Sequence, residues 1–213
     1  MFASLPPVTR ALILANIAVY LLQQFAGDLM VGLFALWPLG HPYFHLWQLF
    51  TYAFLHEGDL LHFDIAHILF NMFAVFMFGS PLERFWGSRR FAVYYLVSLL
   101  SAGATQLIVQ NATGGGEPVI GASGGVFGLL LAFAWYFPRQ PLIFLFFPVP
   151  LPAWLFVTIY GAIELTLGVT GAQSDVAHFA HLGGMLGGAL AILYWRMRGR
   201  FERGSGPGPQ RLK

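Results

Sequence analysis

Ser123, in Gly121-Ala122-Ser123-Gly124, and His181, in Ala180-His181-Leu182-Gly183-Gly184, are reactive side chains set inside long apolar stretches. A hydroxyl and an imidazole are the two groups that nucleophilic acyl transfer needs, one to attack and one to take its proton. A third polar pair, His67 and Asn71 in His67-Ile68-Leu69-Phe70-Asn71, lies upstream in another apolar stretch. Polar groups at such positions need a hydrogen-bond partner or a chemical purpose. Together these residues suggest a serine hydrolase working inside a bilayer.

The elements that carry them follow from composition. Of 213 residues, 57% are hydrophobic and 9% charged, too little polar surface to cover a water-soluble globule. An integral membrane protein is indicated, and the absence of Cys excludes disulfides and thiolate chemistry. Apolar stretches run from about Ala11 to Ala26, Phe63 to Gly79, Phe91 to Val109, Val119 to Phe137, Leu142 to Ile163 and Val176 to Trp195. Most approach the ~20 residues a crossing helix requires. The fold class expected is therefore an all-α polytopic bundle of six transmembrane helices. A cleaved signal peptide is the rival reading of the first stretch, but no basic residue precedes Arg10 and no clear cleavage site follows. The loop from Gly27 to His62, rich in Trp, Phe, Tyr and His, is expected at the membrane interface. Pro148, Pro150 and Pro152 predict a loose or late start to the fifth helix. One membrane domain, residues 1–198, is expected, with 199–213 a basic, Gly/Pro-rich and disordered tail.

Orientation follows from the cations. Arg10, Arg84, Arg89, Arg90, Arg139 and the group from Arg196 to Lys213 all fall on one side of the six stretches, which places both termini in the cytoplasm. Helices two, four and six then enter from the outer face, and Asn71, Ser123 and His181 lie at one level, roughly 7 to 12 Å down. A shared site needs that coincidence of depth.

On helix six, His181, Gly184 and Gly188 share a face, and Gly121, Gly124, Gly125 and Gly128 offer a thin complementary surface on helix four. Close contact would bring His181 to Ser123, with Phe127, four residues beyond the serine, beneath the imidazole ring. Ser123 follows Pro118 and Gly121 into a first helical turn, where free N–H groups and the helix dipole suit an oxyanion. His67 and Asn71, at i and i+4, could aim two further donors at the same point.

These residues resemble the rhomboid intramembrane serine proteases. Gly121 to Gly124 matches the Gly-x-Ser-Gly motif, which makes Ser123 the nucleophile by resemblance. His181, Gly184 and Gly188 match His-x-x-Gly-x-x-x-Gly, making His181 the general base. His67 and Asn71 match His-x-x-x-Asn, which implies an oxyanion hole of those side chains and the Ser123 N–H. Glu83-Arg84-Phe85-Trp86-Gly87-Ser88 looks like the family's cytoplasmic turn. Trp47-Gln48 stands where the family has Trp-Arg, and the segment from His56 to His67 is a few residues longer than usual, so that His62 competes with His67; only His67 has Asn four residues later.

The resemblance implies a Ser-His dyad that cleaves transmembrane segments of single-pass proteins whose helices unwind easily. The expected setting is a bacterial cytoplasmic membrane, with the lipid bilayer and membrane-protein substrates as partners and no nucleic acid, metal or other cofactor. A carboxylate third member is not evident, since Asp175 is in poor register with His181. Trp154 and Phe156 on the fifth helix are candidates for a lateral gate or for lipid-facing residues. Neither His-Glu-x-x-His nor Gly-x-Gly-Asp occurs, which argues against zinc and aspartyl proteolysis. His178 and His181 could share a metal ion, but further ligands are not apparent, and His178 is read as a structural hydrogen-bonding residue. Whether Glu164 pairs, snorkels or gates stays open. A rhomboid-like binding protein or a small proton-coupled transporter using His67, Glu164 and His181 is the competing class.

Overall fold

The first long helix turns its polar residues inward and its apolar ones outward, the reverse of a soluble helix. Along α1 (Pro7–Phe34), Thr9, Ile13, Asn16, Tyr20 and Gln23 form the buried seam, while Leu14, Leu21, Leu22, Phe25 and Leu29 are exposed. Only a hydrocarbon solvent rewards that arrangement. The structure is a computed structural model that describes residues 5–62, 64–144, 147–171 and 177–202.

Eight α-helices follow one another among the described residues: α1, α2 (Gln48–Thr51), α3 (Ala66–Ala74), α4 (Ser80–Trp86), α5 (Ser88–Thr113), α6 (Ser123–Tyr136), α7 (Ala153–Thr170) and α8 (His178–Glu202). A π-helical turn, Val75–Gly79, joins α3 to α4, so that residues 66–86 form one rod. That rod, α1, α5 and α7 are long and apolar enough to cross a membrane. The serine-bearing α6 has 14 residues, about 21 Å of helix, and α8 carries two histidines and several glycines among its apolar residues. The chain is a polytopic helical membrane protein.

Two expected elements differ in part. The first helix breaks at Ala26 as expected, where the backbone leaves helical geometry (φ −141°, ψ 37°), but a second helical segment follows the kink and runs to Phe34, within the expected loop. The fifth stretch is not helical from Leu142. It forms an antiparallel hairpin, β1 (Pro141–Phe144) and β2 (Phe147–Pro152), and α7 starts only after Pro152. Prolines at every second position remove backbone donors and hold the residues before them extended, which ends any helix there. The last helix continues to Glu202; the expected tail over 203–213 lies outside the described residues, as does Asp175.

Buried carboxylate and amide groups fasten the ends. Glu83 accepts from the backbone N–H of Val8 (3.0 Å) and Thr9 (2.7 Å), from the Thr9 hydroxyl (2.7 Å) and from the Ser88 hydroxyl (2.6 Å). One anion thus satisfies first-turn donors of α1 and the first residue of α5. At the other end, fully buried Gln48 holds the loop after α1. Its amide nitrogen donates to the carbonyls of Leu33 (3.2 Å) and Tyr43 (2.7 Å), and its oxygen accepts from the N–H groups of Trp37 (3.3 Å) and His45 (3.2 Å). Glutamine therefore anchors this loop with four backbone bonds where the family resemblance led one to look for arginine. Replacing it with Leu leaves buried donors and acceptors unpaired. Gln48→Leu is expected to cost about 3 kcal/mol, seen as a lowered melting temperature in detergent, whereas an unchanged melting temperature would contradict the anchoring role.

Candidate active site

The site is built where α6 and α8 come closer than side chains would allow. A Cβ on Gly184 would collide with the backbone carbonyl of Gly124, and one on Gly128 would meet Ser98 of α5 and approach the Gly184 carbonyl at 3.2 Å. The glycine surfaces do not all pair as expected. Gly188 faces Tyr94 and Ser98 of α5, and Gly125 packs on the Tyr95 ring, so α5 receives part of the thin face assigned to α8. Tyr94 then donates to the Gly128 carbonyl at 2.7 Å, which ties α5 to α6 beneath the site.

Gly121 sets the turn into α6. Its φ is +121°, which only glycine adopts without strain, and its N–H donates to the Tyr52 carbonyl at 3.0 Å. Two further backbone bonds, Leu36 N–H to Val119 O (2.9 Å) and Val119 N–H to Leu36 O (3.0 Å), clamp the preceding segment to the loop after α1. Ser123 is therefore delivered as the first residue of α6, partly exposed, where first-turn N–H groups have no intrahelical acceptor.

His181 lies on the first turn of α8, and its Nε2 is 2.8 Å from Ser123 Oγ. The imidazole stacks on Phe127 with ring centroids 4.2 Å apart and planes 6° from parallel, and Tyr160 of α7 stacks on Phe127 in turn at 5.1 Å. The ring's position is thus fixed by a flat surface as well as by its polar contacts.

His67 reaches the same place from α3. Its Nε2 lies 2.9 Å, and Ser123 Oγ 3.8 Å, from the point a Gly121 Cβ would occupy. The His67 Nδ1 accepts from the Glu57 N–H at 3.2 Å, which in a neutral ring leaves the proton on Nε2, on the side of the serine. Asn71 is buried, and one of its two amide hydrogens goes to the His67 carbonyl at 2.9 Å. The structure thus gathers Ser123, His181, Phe127, Gly121 and His67 around one point, and gives Asn71 a hydrogen bond within its own helix.

Two partners were not legible in the chain. The expectation that no carboxylate stands near His181 is corrected: Glu164 Oε2 lies 2.8 Å from His181 Nδ1 and 2.7 Å from His178 Nδ1. All three side chains are buried. The same finding corrects the view that His178 and His181 lack a third metal-binding neighbour, since their ligand atoms and that of Glu164 lie within 4.8 Å of one another. The short N to O distances show these groups satisfying each other by hydrogen bonds. The signal in the sequence was the cost of a carboxylate in an apolar helix; which helix would supply its partner was not encoded in spacing. His56, the second, is buried edge-on to His67 with ring centroids 5.0 Å apart. Neither of its ring nitrogens has a partner among the described residues, and its backbone exchanges bonds with Gln23 of α1 at 2.9 and 3.2 Å.

A polytopic helical bundle that joins a part-buried serine hydroxyl to an imidazole defines a class of membrane protein. A family model, the Rhomboid domain, matches residues 43–198, and the chain belongs to the rhomboid family. It is 29% identical over 207 residues to "Rhomboid protease GlpG" of Photorhabdus laumondii, covering 92% of this chain and 64% of that relative. It is also 29% identical over 190 residues to "Rhomboid protease GlpG" of Pectobacterium atrosepticum, covering 89% and 62%. The chain therefore spans a little under two thirds of the length of these curated relatives.

Two measurements test the geometry. Gly184→Ala places a methyl group against rigid backbone and must push α8 from α6, so it is expected to destabilise by about 1 to 3 kcal/mol, whereas Ala at half-buried Gly27, with open space around its Cβ position, leaves the melting temperature unchanged. Burial, and then neighbouring His67, hold the His56 imidazole down to about 3 from its ordinary 6.5. The unfolded chain binds this proton first, so the stability His56 contributes is complete above pH ~6.5 and is lost as pH falls toward 3, by at most about 1.4 kcal/mol per pH unit. His56→Phe should flatten the fall in unfolding midpoint between pH 7 and 5; an identical slope in both proteins would contradict it.

Proposed function

We propose that this protein is an intramembrane serine endopeptidase that cleaves transmembrane segments of membrane proteins. Ser123 is the nucleophile, His181 the general base, and the Ser123 N–H with His67 and Asn71 the oxyanion hole. The observation that carries this reading is the 2.8 Å approach of His181 Nε2 to Ser123 Oγ in a rhomboid-family chain.

The chemistry follows from the parts. As Ser123 Oγ attacks the scissile carbonyl carbon, its proton passes to His181 Nε2 and the carbonyl electron pair moves onto oxygen. The Nε2 proton of His67 and the free first-turn N–H groups of α6 face the charge that develops there. Collapse breaks the peptide C–N bond as His181 returns the proton to the departing amine, and water then releases the acyl group by the reverse roles. No metal or cofactor takes part in this scheme.

A substrate helix must unwind to expose its carbonyls, because an intact helix hides them in its own hydrogen bonds. Ser123 is only partly buried, so water and an unwound segment can reach it. Exposed Trp154 and half-buried Phe156 at the start of α7 flank a lateral route from the lipid. We place residues 1–198 in one membrane domain with a basic tail from 199 onward, its first residues continuing α8. The one-sided Lys and Arg distribution supports a cytoplasmic location for both termini, in a bacterial cytoplasmic membrane.

Ser123→Ala is expected to abolish cleavage of a model transmembrane substrate in proteoliposomes while the melting profile stays that of the wild type. Retained cleavage would refute the assignment. Asn71→Ala should lower the rate by about 10²-fold if the amide serves as one oxyanion donor, and an unchanged rate removes it from the site.

A further inference from the structure

Glu164 belongs to no motif of the site, yet its carboxylate is the hub on which two buried histidines converge. It stands in the C-terminal half of α7, and α8 runs back beside it after a short connection, so the end of one helix meets the first turn of the next. Oε2 lies 2.7 Å from His178 Nδ1 and 2.8 Å from His181 Nδ1. The exposures are 4% for Glu164, 4% for His178 and 8% for His181, so water does not compete for these bonds.

With Glu164 ionised, hydrogen-bond accounting fixes the protons. An ionised carboxylate only accepts, so both Nδ1 atoms must be N–H donors. His181 Nε2 is then the bare lone pair of a neutral ring, and the group facing it is the Ser123 hydroxyl at 2.8 Å. His178 Nε2 is buried without a hydrogen-bond partner among the described residues, the condition of a neutral ring whose one N–H is spent on Glu164. A protonated His178 would bury an unpaired charged donor there, which is far more costly than an unpaired lone pair.

We propose that Glu164 is a positioning residue for His181, making the site a Ser123–His181–Glu164 triad with His178 as the second donor that holds the carboxylate in place. This rests on the proteolytic reading above and deepens it. Glu164 selects the tautomer in which Nε2 can take the serine proton, and its negative charge offsets the imidazolium formed when the proton arrives. It keeps that charge throughout; the proton goes from Oγ to Nε2 and on to the leaving amine. Phe127 fixes the plane of the imidazole, and Glu164 fixes its rotation within that plane.

The test uses the full-length protein in lipid nanodiscs, with cleavage of a model transmembrane substrate and ¹⁵N spectra of histidine-labelled protein, the His181 signals being assigned by their loss in His181→Gln. Glu164→Gln keeps the shape but removes the charge. It should lower kcat by roughly 10²- to 10⁴-fold with KM within about threefold, and Glu164→Asp should recover part of the loss. The wild-type spectrum at neutral pH should show His181 with its proton on Nδ1, a readout that decides the matter even if Glu164→Gln fails to fold. Wild-type kcat in Glu164→Gln, or a His181 proton on Nε2 in the wild type, would overturn the proposal. So would stoichiometric zinc in the purified protein that disappears in Glu164→Gln, since the three side chains would then be ligands. If the wild type itself cleaves nothing, the proteolytic reading fails first, and the tautomer still reports whether Glu164 orients the ring.

Discussion

Everything at the site depends on how near two backbones can come. The carbonyl of Gly124 occupies the space a side chain at position 184 would need, so α6 and α8 touch without intervening side chains. Only at that separation can a short serine side chain reach an imidazole on the neighbouring helix. Lipid offers no hydrophobic drive for helix association, so the contact is held by packing and by polar ties around it. The α5 helix supplies these, with Ser98, Ala102 and Tyr94 set beneath the glycines and the Tyr94 hydroxyl bound to α6. A bulkier residue at either glycine separates the reacting groups before it touches them.

The second constraint is that each buried polar group must find a partner without water. Glu83 gathers backbone donors of α1 together with the Ser88 hydroxyl; Gln48 binds four backbone groups of the loop after α1; Glu164 holds two imidazoles. The same physics serves different ends in the three cases. In the first two the polar side chain fastens a loop or helix ends. In the third it reaches the imidazole that faces Ser123. His56 is the exception, with no partner in bonding geometry for either ring nitrogen among the described residues. A buried imidazole in that condition is held neutral.

Much of this was legible in residue types and spacing. The apolar stretches indicated a polytopic helical fold, four of whose helices are long and apolar enough to cross a membrane, and the spacing of Ser123 and His181 within their stretches anticipated the contact between them. Phe127 beneath the His181 ring followed from its spacing to Ser123. What stayed illegible were contacts set by helix rotation and by loop paths. Glu164 drew notice as an acid in an apolar helix, but its partner depended on how α7 turns relative to α8. Gln48 read as a departure from a family pattern and carries a full anchoring role instead. The hairpin before α7 was hidden because an apolar run with alternating prolines satisfies a hydropathy count while denying the backbone a helix. Gly188 and Gly125 pack against α5 and not against each other's helices, since a thin face says that something approaches closely and not which helix does.

The central claim is that the Ser123 hydroxyl is made nucleophilic by the imidazole 2.8 Å away. Treating the membrane-embedded protein with a fluorophosphonate and mapping the adduct by peptide mass spectrometry tests it most directly. The account predicts phosphonylation of Ser123 in the wild type and its loss in His181→Ala, because an unassisted serine hydroxyl does not react at neutral pH. An unlabelled wild type, or equal labelling of Ser123 with and without His181, would contradict it.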